Sequence, residues 1–141
     1  MIIVDTSGLL AAIDGSQRFH RKCAAALSSV KGPLLLSPFV LAELDYLLGK
    51  HVGSSAQIAV LEEVVRGAYR LEPFGPTDVA AAQVVIHRYR ELQLGLADAS
   101  IVVLADRHAT RDVLTLDERH FRAIRTAARK RFRIFPADVG P

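Results

Sequence analysis

Two acidic residues follow short apolar segments that have the length and composition of buried strands. Asp5 comes directly after the apolar residues 1–4, and Asp117 comes directly after the segment 113–116. The residues after Asp5 then turn the chain into an apolar stretch that is typical of a first helix. Because the carboxyl ends of parallel strands lie at one edge of a sheet, where open α/β folds bind ligands, we expect Asp5 and Asp117 to lie close together.

Two further acidic residues interrupt the apolar faces of helices. Ser37, followed by proline, opens a helix that we expect to end near Leu48, and on it Glu43 lies in line with apolar residues. Asp98 lies in the same way on a second helix, at about 97–107. An unpaired buried carboxylate costs several kcal/mol, so two such positions in a small protein indicate a bound cation.

The donor atoms of these four residues favour a hard divalent cation. Carboxylate oxygens suit Mg²⁺ or Mn²⁺ better than zinc, the chain has a single cysteine, and its five histidines show no spacing typical of metal ligands. Carboxylates around such an ion suit phosphodiester hydrolysis, because the ion activates water and offsets charge on the phosphoryl group.

Each of these four acidic residues could instead have a purely structural role. Asp5, Asp98 and Asp117 could each cap a helix, and Glu43 could pair with an arginine inside the protein. A metal-free ribonuclease that uses two histidines also stays open, although nothing in the sequence pairs the histidines.

The rest of the chain alternates between helix and strand signals. Besides the elements above, strands are predicted at 34–36, 69–73 and 132–135, and helices at 18–29, 54–66 and 77–89. Such alternation is typical of βαβ units with a parallel sheet that is covered on both faces. We therefore predict an α/β fold.

Composition and charge limit the possible classes of protein. The chain has 141 residues, half of them hydrophobic, with no repeat or linker, which predicts one domain over residues 1–141. The amino terminus lacks the basic region of a signal peptide, and no apolar run is long enough to span a membrane, so we expect a cytoplasmic protein. From Asp106 onward the sequence contains nine basic and five acidic residues, although the net charge of the whole chain is only +3. This concentration of positive charge favours a polyanionic partner.

Four segments of the chain resemble the motifs of one family. They are Ile3 to Ser7, Ser37 to Leu44, Leu96 to Ile101 and Leu114 to Phe121. In order and spacing they resemble the motifs of PIN-domain ribonucleases, and within that group those of the VapC toxins of bacterial toxin–antitoxin pairs. The resemblance implies a three-layer α/β/α sandwich around a parallel sheet. It also implies four acidic site residues: Asp5, Glu43, Asp98 and Asp117.

The same resemblance implies a mechanism and partners. RNA cleavage would depend on Mg²⁺ or Mn²⁺, with tRNA or a loop of large-subunit ribosomal RNA as the target, and a VapB-type antitoxin would enter the site of a homodimer. Asp5 and Asp98 would hold the metal most directly, while Glu43 and Asp117 would complete its coordination or orient the attacking water. Three nearby hydroxyl residues are candidates to hold these ligands in place: Thr6, Ser7 and Thr115.

Three arginines near the carboxyl terminus are candidates for RNA binding. On a continuous helix they would share one face, opposite an apolar face that packs on the protein: Arg122, Arg125 and Arg129. Two alternative functions stay open. One is a non-catalytic RNA-binding module on the same fold, in which the acids are structural, and the other is a metal-dependent phosphatase that acts on small phosphoesters.

Overall fold

The computed structural model describes residues 1–140 and contains a five-stranded sheet in which each strand runs parallel to its neighbours. The strands are β1 (Ile2–Val4), β2 (Leu34–Leu36), β3 (Arg70–Leu71), β4 (Asp112–Leu114) and β5 (Arg133–Phe135). The helices are α1 (Thr6–Ile13), α2 (His20–Ser29), α3 (Pro38–His51), α4 (Ser54–Val65), α5 (Pro76–Arg88), α6 (Leu96–Arg107) and α7 (Glu118–Ala123). These helices flank the sheet, which confirms the prediction of a three-layer α/β/α fold.

The strand order β3-β2-β1-β4-β5 places the first strand at the centre of the sheet. From β1 the chain builds outward to β2 and β3 on one side, and later to β4 and β5 on the other. The order therefore reverses between β1 and β4. In open parallel sheets such a reversal opens a crevice at the carboxyl ends of the two strands, and the residues that follow β1 and β4 border this crevice.

The strands are short, but their apolar side chains are buried. Ile2, Ile3 and Val4 of β1 are at most 1% exposed, and α6 adds an unbroken buried run over residues 99–105. A strand that is covered on both faces has a continuous apolar sequence, which is why the apolar runs predicted these strands. Within residues 1–140 no helix has the length and hydropathy needed to cross a membrane.

Most boundaries lie within a few residues of the predicted ones, but α3 is longer than predicted. It continues through Gly49 to His51, beyond the predicted end near Leu48. A Cβ atom at Gly49 would lie 2.8 Å from the side chain of Gln57, so this glycine serves the close packing of α3 against α4. The prediction that residues 1–141 form one domain stays a prediction.

The three arginines predicted on one helical face do not share a face, so this prediction is wrong. α7 ends at Ala123, and Ile124 takes an extended backbone that carries its side chain into the core. Arg125 lies in an isolated antiparallel bridge, and Arg129 has a φ of 60°. Arg122 does lie on α7, where two hydrogen bonds of 2.7 and 2.8 Å join it to a carboxylate. A role of these residues in RNA binding stays a prediction.

Gly8 lets α1 lie directly against β4. A Cβ atom at this position would lie 2.7 Å from the Leu114 carbonyl oxygen and 2.8 Å from Leu114 Cγ. Because Leu114 is fully buried in a close-packed core, its atoms have little room to move aside. This close approach keeps the segments after β1 and β4 in contact.

We expect Gly8→Ala to lower the free energy of unfolding by about 1–3 kcal/mol, because the added methyl group overpacks the contact between α1 and β4. Helix propensity acts in the opposite direction, since alanine is favoured over glycine by about 1 kcal/mol. Urea unfolding followed by circular dichroism measures the difference. The control is Gly15→Ala, whose Cβ atom would meet nothing within 4 Å, and which should be at least as stable as the parent. A Gly8→Ala variant as stable as the parent would contradict the close contact.

Candidate metal centre

Asp5 lies at the carboxyl end of β1, directly beside β4. Its amide N–H donates to the Leu114 carbonyl oxygen over 2.9 Å, which extends the pairing of the two strands by one residue. The residue is 5% exposed, so its carboxylate lies almost wholly inside the protein. The prediction that the segments after these two strands meet at one edge of the sheet is confirmed.

Two hydroxyl groups hold the Asp5 carboxylate. Asp5 Oδ2 accepts hydrogen bonds from Thr115 Oγ1 at 2.6 Å and from Ser7 Oγ at 3.3 Å. Thr115 Oγ1 accepts from the Asp117 amide at 2.9 Å, and Ser7 Oγ accepts from the Leu116 amide at 3.0 Å. Each hydroxyl therefore links the segment after β4 to the Asp5 side chain, while the role of Ser7 and Thr115 in supporting metal ligands stays a prediction.

The surroundings of Asp5 disfavour its ionised form. Burial raises its pKa, the hydrogen bond from Thr115 opposes the rise, and the charges of Asp98 and Glu43 add to it. The pKa reaches about 6, against an ordinary value of 3.8. Within residues 1–140 no basic side chain forms an ion pair with Asp5, so the carboxylate lacks a counter-charge.

Asp98 approaches the site from the first turn of α6. Its Oδ2 accepts a hydrogen bond from the Gly95 amide at 3.1 Å, so Asp98 also closes the amino end of the helix, as the capping alternative predicted. Burial raises the pKa of Asp98, the Gly95 amide and His120 oppose this rise, and the charge of Asp117 adds to it. Capping and metal binding are compatible here, because a carboxylate offers two oxygens with about four lone pairs.

A buried pair of hydroxyl groups connects the two helices that carry acidic site residues. Ser37 caps α3 by accepting from the Phe39 amide at 3.2 Å, as predicted. The Ser37 and Ser100 hydroxyl oxygens lie 2.7 Å apart, and Ser100 donates to the Ala97 carbonyl oxygen at 2.6 Å. Since the single hydroxyl proton of Ser100 goes to Ala97, Ser37 is the donor between the two serines. The starts of α3 and α6 are thereby fixed to each other.

Glu43 borders the site from α3 but is exposed, so the prediction of a buried Glu43 is wrong. The face of α3 that packs into the core consists of three buried residues spaced by four: Val40, Leu44 and Leu48. Glu43 lies beside this face and opens to solvent. Its charge still raises the pKa of Asp5 and Asp98, and no arginine of the described chain forms an ion pair with it.

Asp117 and His120 form the remaining side of the site. Asp117 is the N-cap of α7, as the capping alternative predicted, and its Oδ1 accepts from the His120 amide at 3.1 Å. Its Oδ2 lies 2.8 Å from His120 Nδ1, and Asp98 Oδ2 lies 3.8 Å from the same nitrogen. One ligand atom from each of these three residues lies within 4.8 Å of the others, so the group can hold a metal ion.

Two buried polar atoms test whether a divalent cation fits the site. Thr6 Oγ1 and His120 Nδ1 have no hydrogen-bond partner in the described part of the chain. His120 Nδ1 faces Asp98 and Asp117, and Thr6 directly follows Asp5 in the sequence. Because buried polar atoms are nearly always satisfied, such atoms indicate a partner from outside the chain. The donor set, several carboxylates and one imidazole, is one that divalent cations accept. The residues present therefore fit a divalent metal ion.

Comparison with known proteins agrees with this geometry. Residues 2–127 match the PIN domain family. The chain belongs to this family. It is 42% identical over 135 residues to ribonuclease VapC26 of Mycobacterium tuberculosis, covering 96% of this chain and 100% of that protein. The chain is thus a homologue of the VapC ribonucleases, which confirms the family that the four motifs indicated.

Solved structures of toxin–antitoxin proteins share the fold. Mycobacterium tuberculosis VapC20, described as a sarcin-ricin loop cleaving toxin, aligns with a TM-score of 0.78 at 21% identity and covers 83% of this chain and 90% of its own. VapBC2 of Rickettsia felis, bound to a DNA fragment from its promoter, aligns with a TM-score of 0.67 at 17% identity and covers 96% and 99%. At these identities the likeness concerns the fold alone.

His120 was not among the predicted site residues. The five histidines show no metal-ligand spacing among themselves. The informative spacing is that of Asp117 and His120, which lie three positions apart and so share one side of a helical turn. An acidic N-cap followed by a histidine three residues later is the signal that identifies it.

We expect Asp5→Asn to stabilise the metal-free protein above pH ~6, because it removes a buried charge. A rise in pKa from 3.8 to about 6 corresponds to roughly 3 kcal/mol of unfavourable free energy once Asp5 is ionised. Since the folded state holds this proton more tightly than the unfolded state, the parent loses stability as the pH rises from about 4 to about 6. The advantage of the variant should grow over that interval and stay constant above it.

Urea unfolding in EDTA, repeated between pH ~4 and ~8, measures this dependence. Glu91→Gln is the control, since Glu91 is an exposed acid outside the site and its replacement should give no such pH profile. Equal stability of Asp5→Asn and the parent at pH ~8 would show that Asp5 is not an uncompensated buried charge.

Proposed function

We propose that this chain is a metal-dependent endoribonuclease toxin of a VapBC-type pair, which acts in the cytoplasm on structured RNA. The observation that carries the proposal is the buried carboxylate of Asp5, which lacks a counter-charge in the described chain and whose pKa the charges of Asp98 and Glu43 raise further. Asp117 in turn raises the pKa of Asp98. A divalent cation, Mg²⁺ or Mn²⁺, suits such oxygen ligands. The identity of 42% to a protein named ribonuclease supports the reaction.

Under this proposal the acidic side chains have distinct tasks. Asp5 and Asp98 hold the cation, while Asp117 and the exposed Glu43 complete its coordination or orient the attacking water. A bound divalent cation supplies positive charge for the phosphoryl group and makes water acidic enough to act near neutral pH. Thr115 donates to Asp5 Oδ2 and so keeps the carboxylate in one orientation, which limits the reorganisation needed during the reaction.

A groove beside the site offers a path for RNA. It has a volume of about 1180 Å³, lies between α2, the start of α7 and the carboxyl-terminal segment, and reaches Asp117 at one side. Three basic residues line it and form no ion pair within residues 1–140: Arg21, Lys22 and Arg119. Their positive charge would hold phosphates next to a site that is itself negative. The RNAs implied by the family resemblance, tRNA or a ribosomal RNA loop, present suitable single strands.

An antitoxin and a second copy of the chain are the proposed protein partners. VapBC2 and a toxin–antitoxin complex from Klebsiella pneumoniae share the fold, which supports a VapB-type antitoxin for this chain. A basic antitoxin residue such as arginine could satisfy the carboxylates through two charge-assisted hydrogen bonds. α4 exposes three apolar side chains on one face, which supports a homodimer: Ile58, Leu61 and Val65.

We expect Asp5→Asn and Asp98→Asn each to slow RNA cleavage by at least about 100-fold, because each variant removes a carboxylate from the cation site. Cleavage of a structured RNA in Mg²⁺ or Mn²⁺, followed on denaturing gels, measures the rate. The matched control is Asp45→Asn on α3, since Asp45 binds Gln57 and lies outside the site. Its rate should equal that of the parent.

Each variant has to show the circular dichroism spectrum of the parent before its rate is interpreted. Full activity of folded Asp5→Asn or Asp98→Asn would overturn the proposed site. Cleavage that persists in EDTA would favour a metal-free ribonuclease. RNA binding without cleavage would favour a non-catalytic module, and hydrolysis of a chromogenic phosphoester without RNA cleavage would favour a phosphatase.

We expect replacement of the three basic groove residues by glutamine to weaken RNA binding, because phosphate contacts are lost. The slope of log K against log salt concentration should become shallower by about 0.7 for each lost contact. Fluorescence anisotropy in EDTA, over a salt series, measures both quantities without cleavage. A comparison variant carries glutamine at the arginines that were predicted from the sequence: Arg122, Arg125 and Arg129. If that variant shows the larger change in slope, the groove is not the RNA path.

A further inference from the structure

The predicted site of four acidic residues does not include His120, although one of its ring nitrogens is buried there. Its side chain is 19% exposed, but the Nδ1 atom itself is buried and has no hydrogen-bond partner within residues 1–140. This atom faces Asp117 Oδ2 at 2.8 Å and Asp98 Oδ2 at 3.8 Å. A nitrogen lone pair and two carboxylates that face one another are mutually unfavourable unless a positive charge lies between them.

The other ring nitrogen of His120 determines which tautomer is present. Nε2 lies 3.0 Å from the Leu92 carbonyl oxygen, and because a carbonyl can only accept, Nε2 carries the proton. In the neutral ring Nδ1 then holds the lone pair. Metal-binding histidines are commonly held in this way, with the nitrogen that does not bind the metal donating to a backbone carbonyl or a carboxylate.

The distances around Nδ1 agree with those between neighbouring ligands of one ion. Ligands with bonds of about 2.1 Å lie roughly 3 Å apart when adjacent and roughly 4 Å apart when opposite. The distances of 2.8 and 3.8 Å lie close to these limits. The shorter contact is poorly explained as a direct hydrogen bond, because the geometry at Nδ1 does not meet that of one.

One short segment positions both His120 and Asp98. The Leu92 carbonyl, at the end of a short 3₁₀ helix (Arg90–Leu92), accepts from the imidazole, and the Gly95 amide donates to Asp98. Gln93 lies between them with a left-handed backbone, φ 54° and ψ 47°, which turns the chain from one contact to the other. The segment therefore supports the nitrogen and the carboxylate as a unit.

We propose that His120 Nδ1 is a ligand of a divalent cation, together with Asp98 and Asp117, and that it shifts the preference of the site from Mg²⁺ towards Mn²⁺. The inference rests on the proposed metal-dependent function and adds a nitrogen ligand to it. Imidazole binds transition-metal ions better than it binds Mg²⁺, which prefers oxygen and retains its water. A site built from carboxylates alone would not gain this preference.

The direct test is pulsed electron paramagnetic resonance of Mn²⁺ bound to protein that is labelled with ¹⁵N-histidine. We expect the parent to show the ¹⁵N coupling of a directly bound ring nitrogen, and His120→Gln to lack it. Glutamine can still donate to the Leu92 carbonyl but removes the nitrogen that faces the acids. His87→Gln is the matched control, since His87 is an exposed histidine of α5, and this variant should keep the coupling.

Calorimetric titration with Mn²⁺ alone and with Mg²⁺ alone gives a second readout. We expect His120→Gln to weaken Mn²⁺ binding by at least about 10-fold and Mg²⁺ binding by less than about 3-fold. Absence of ¹⁵N coupling in the labelled parent overturns the proposal, and this measurement requires no variant to fold. Tighter Mn²⁺ binding in His120→Gln also overturns it, since His120 would then be a protonated counter-ion of the acids.

RNA cleavage by the parent separates this inference from the proposed function. A parent that cleaves RNA in Mg²⁺ but shows no histidine coupling in Mn²⁺ supports the function and overturns the ligand. A parent that shows the coupling but cleaves RNA with neither cation supports the ligand and overturns the function.

Discussion

The site is built around a buried negative charge that the described chain does not itself balance. Residues 1–140 contain two carboxylate residues that are each 5% exposed, Asp5 and Glu72. Glu72 is balanced within the protein, because Arg107 lies 3.4 Å away and His108 contacts the same oxygen. Asp5 has hydroxyl partners only, and its pKa rises to about 6. The chain thus provides basic partners for one buried acid and none for the other, which distinguishes a site that could bind a cation from a structural ion pair.

Rigid surroundings make this unfavourable charge possible. β1 and β4 stay paired up to the Asp5 amide, and Gly8 lets α1 lie against the backbone of Leu114. Hydroxyl groups then connect the loops: Thr115 joins Asp5 to the segment after β4, and Ser37 joins the starts of α3 and α6. The buried strands supply the stability, at roughly 25 cal/mol per Å² of apolar surface removed from water. The few kcal/mol that it costs to bury the Asp5 charge near other acids can therefore persist at the sheet edge without unfolding the protein.

The sequence correctly predicted features that depend on local residue patterns. It did not predict features that depend on how distant parts of the chain pack together. The apolar runs identified the strands, and the rule for parallel sheets then placed Asp5 and Asp117 at one edge. The exposure of Glu43 depends on how α3 is rotated against the core, which periodicity gives only to within about one position. The arginines were misplaced because Ile124 leaves the helix to enter the core, a tertiary effect. His120 has one local partner, Asp117, which its spacing could have indicated, whereas its approach to Asp98 depends on the tertiary fold.

Under the proposed function, the negative charge of the acidic site residues couples cation binding to RNA binding. The acids repel phosphate at the Asp117 side of the groove, whereas Arg21 and Arg119 attract it along the groove lining. A bound cation offsets part of this negative charge and so raises RNA affinity, and by reciprocity RNA raises cation affinity by the same factor. If His120 is also a ligand, as proposed, Mn²⁺ would gain affinity from its nitrogen without any contribution from phosphate. Mg²⁺ would gain less from that nitrogen and would depend more on phosphate oxygens for its coordination. Under both proposals we therefore expect Mn²⁺ to bind ahead of RNA and Mg²⁺ to bind together with it.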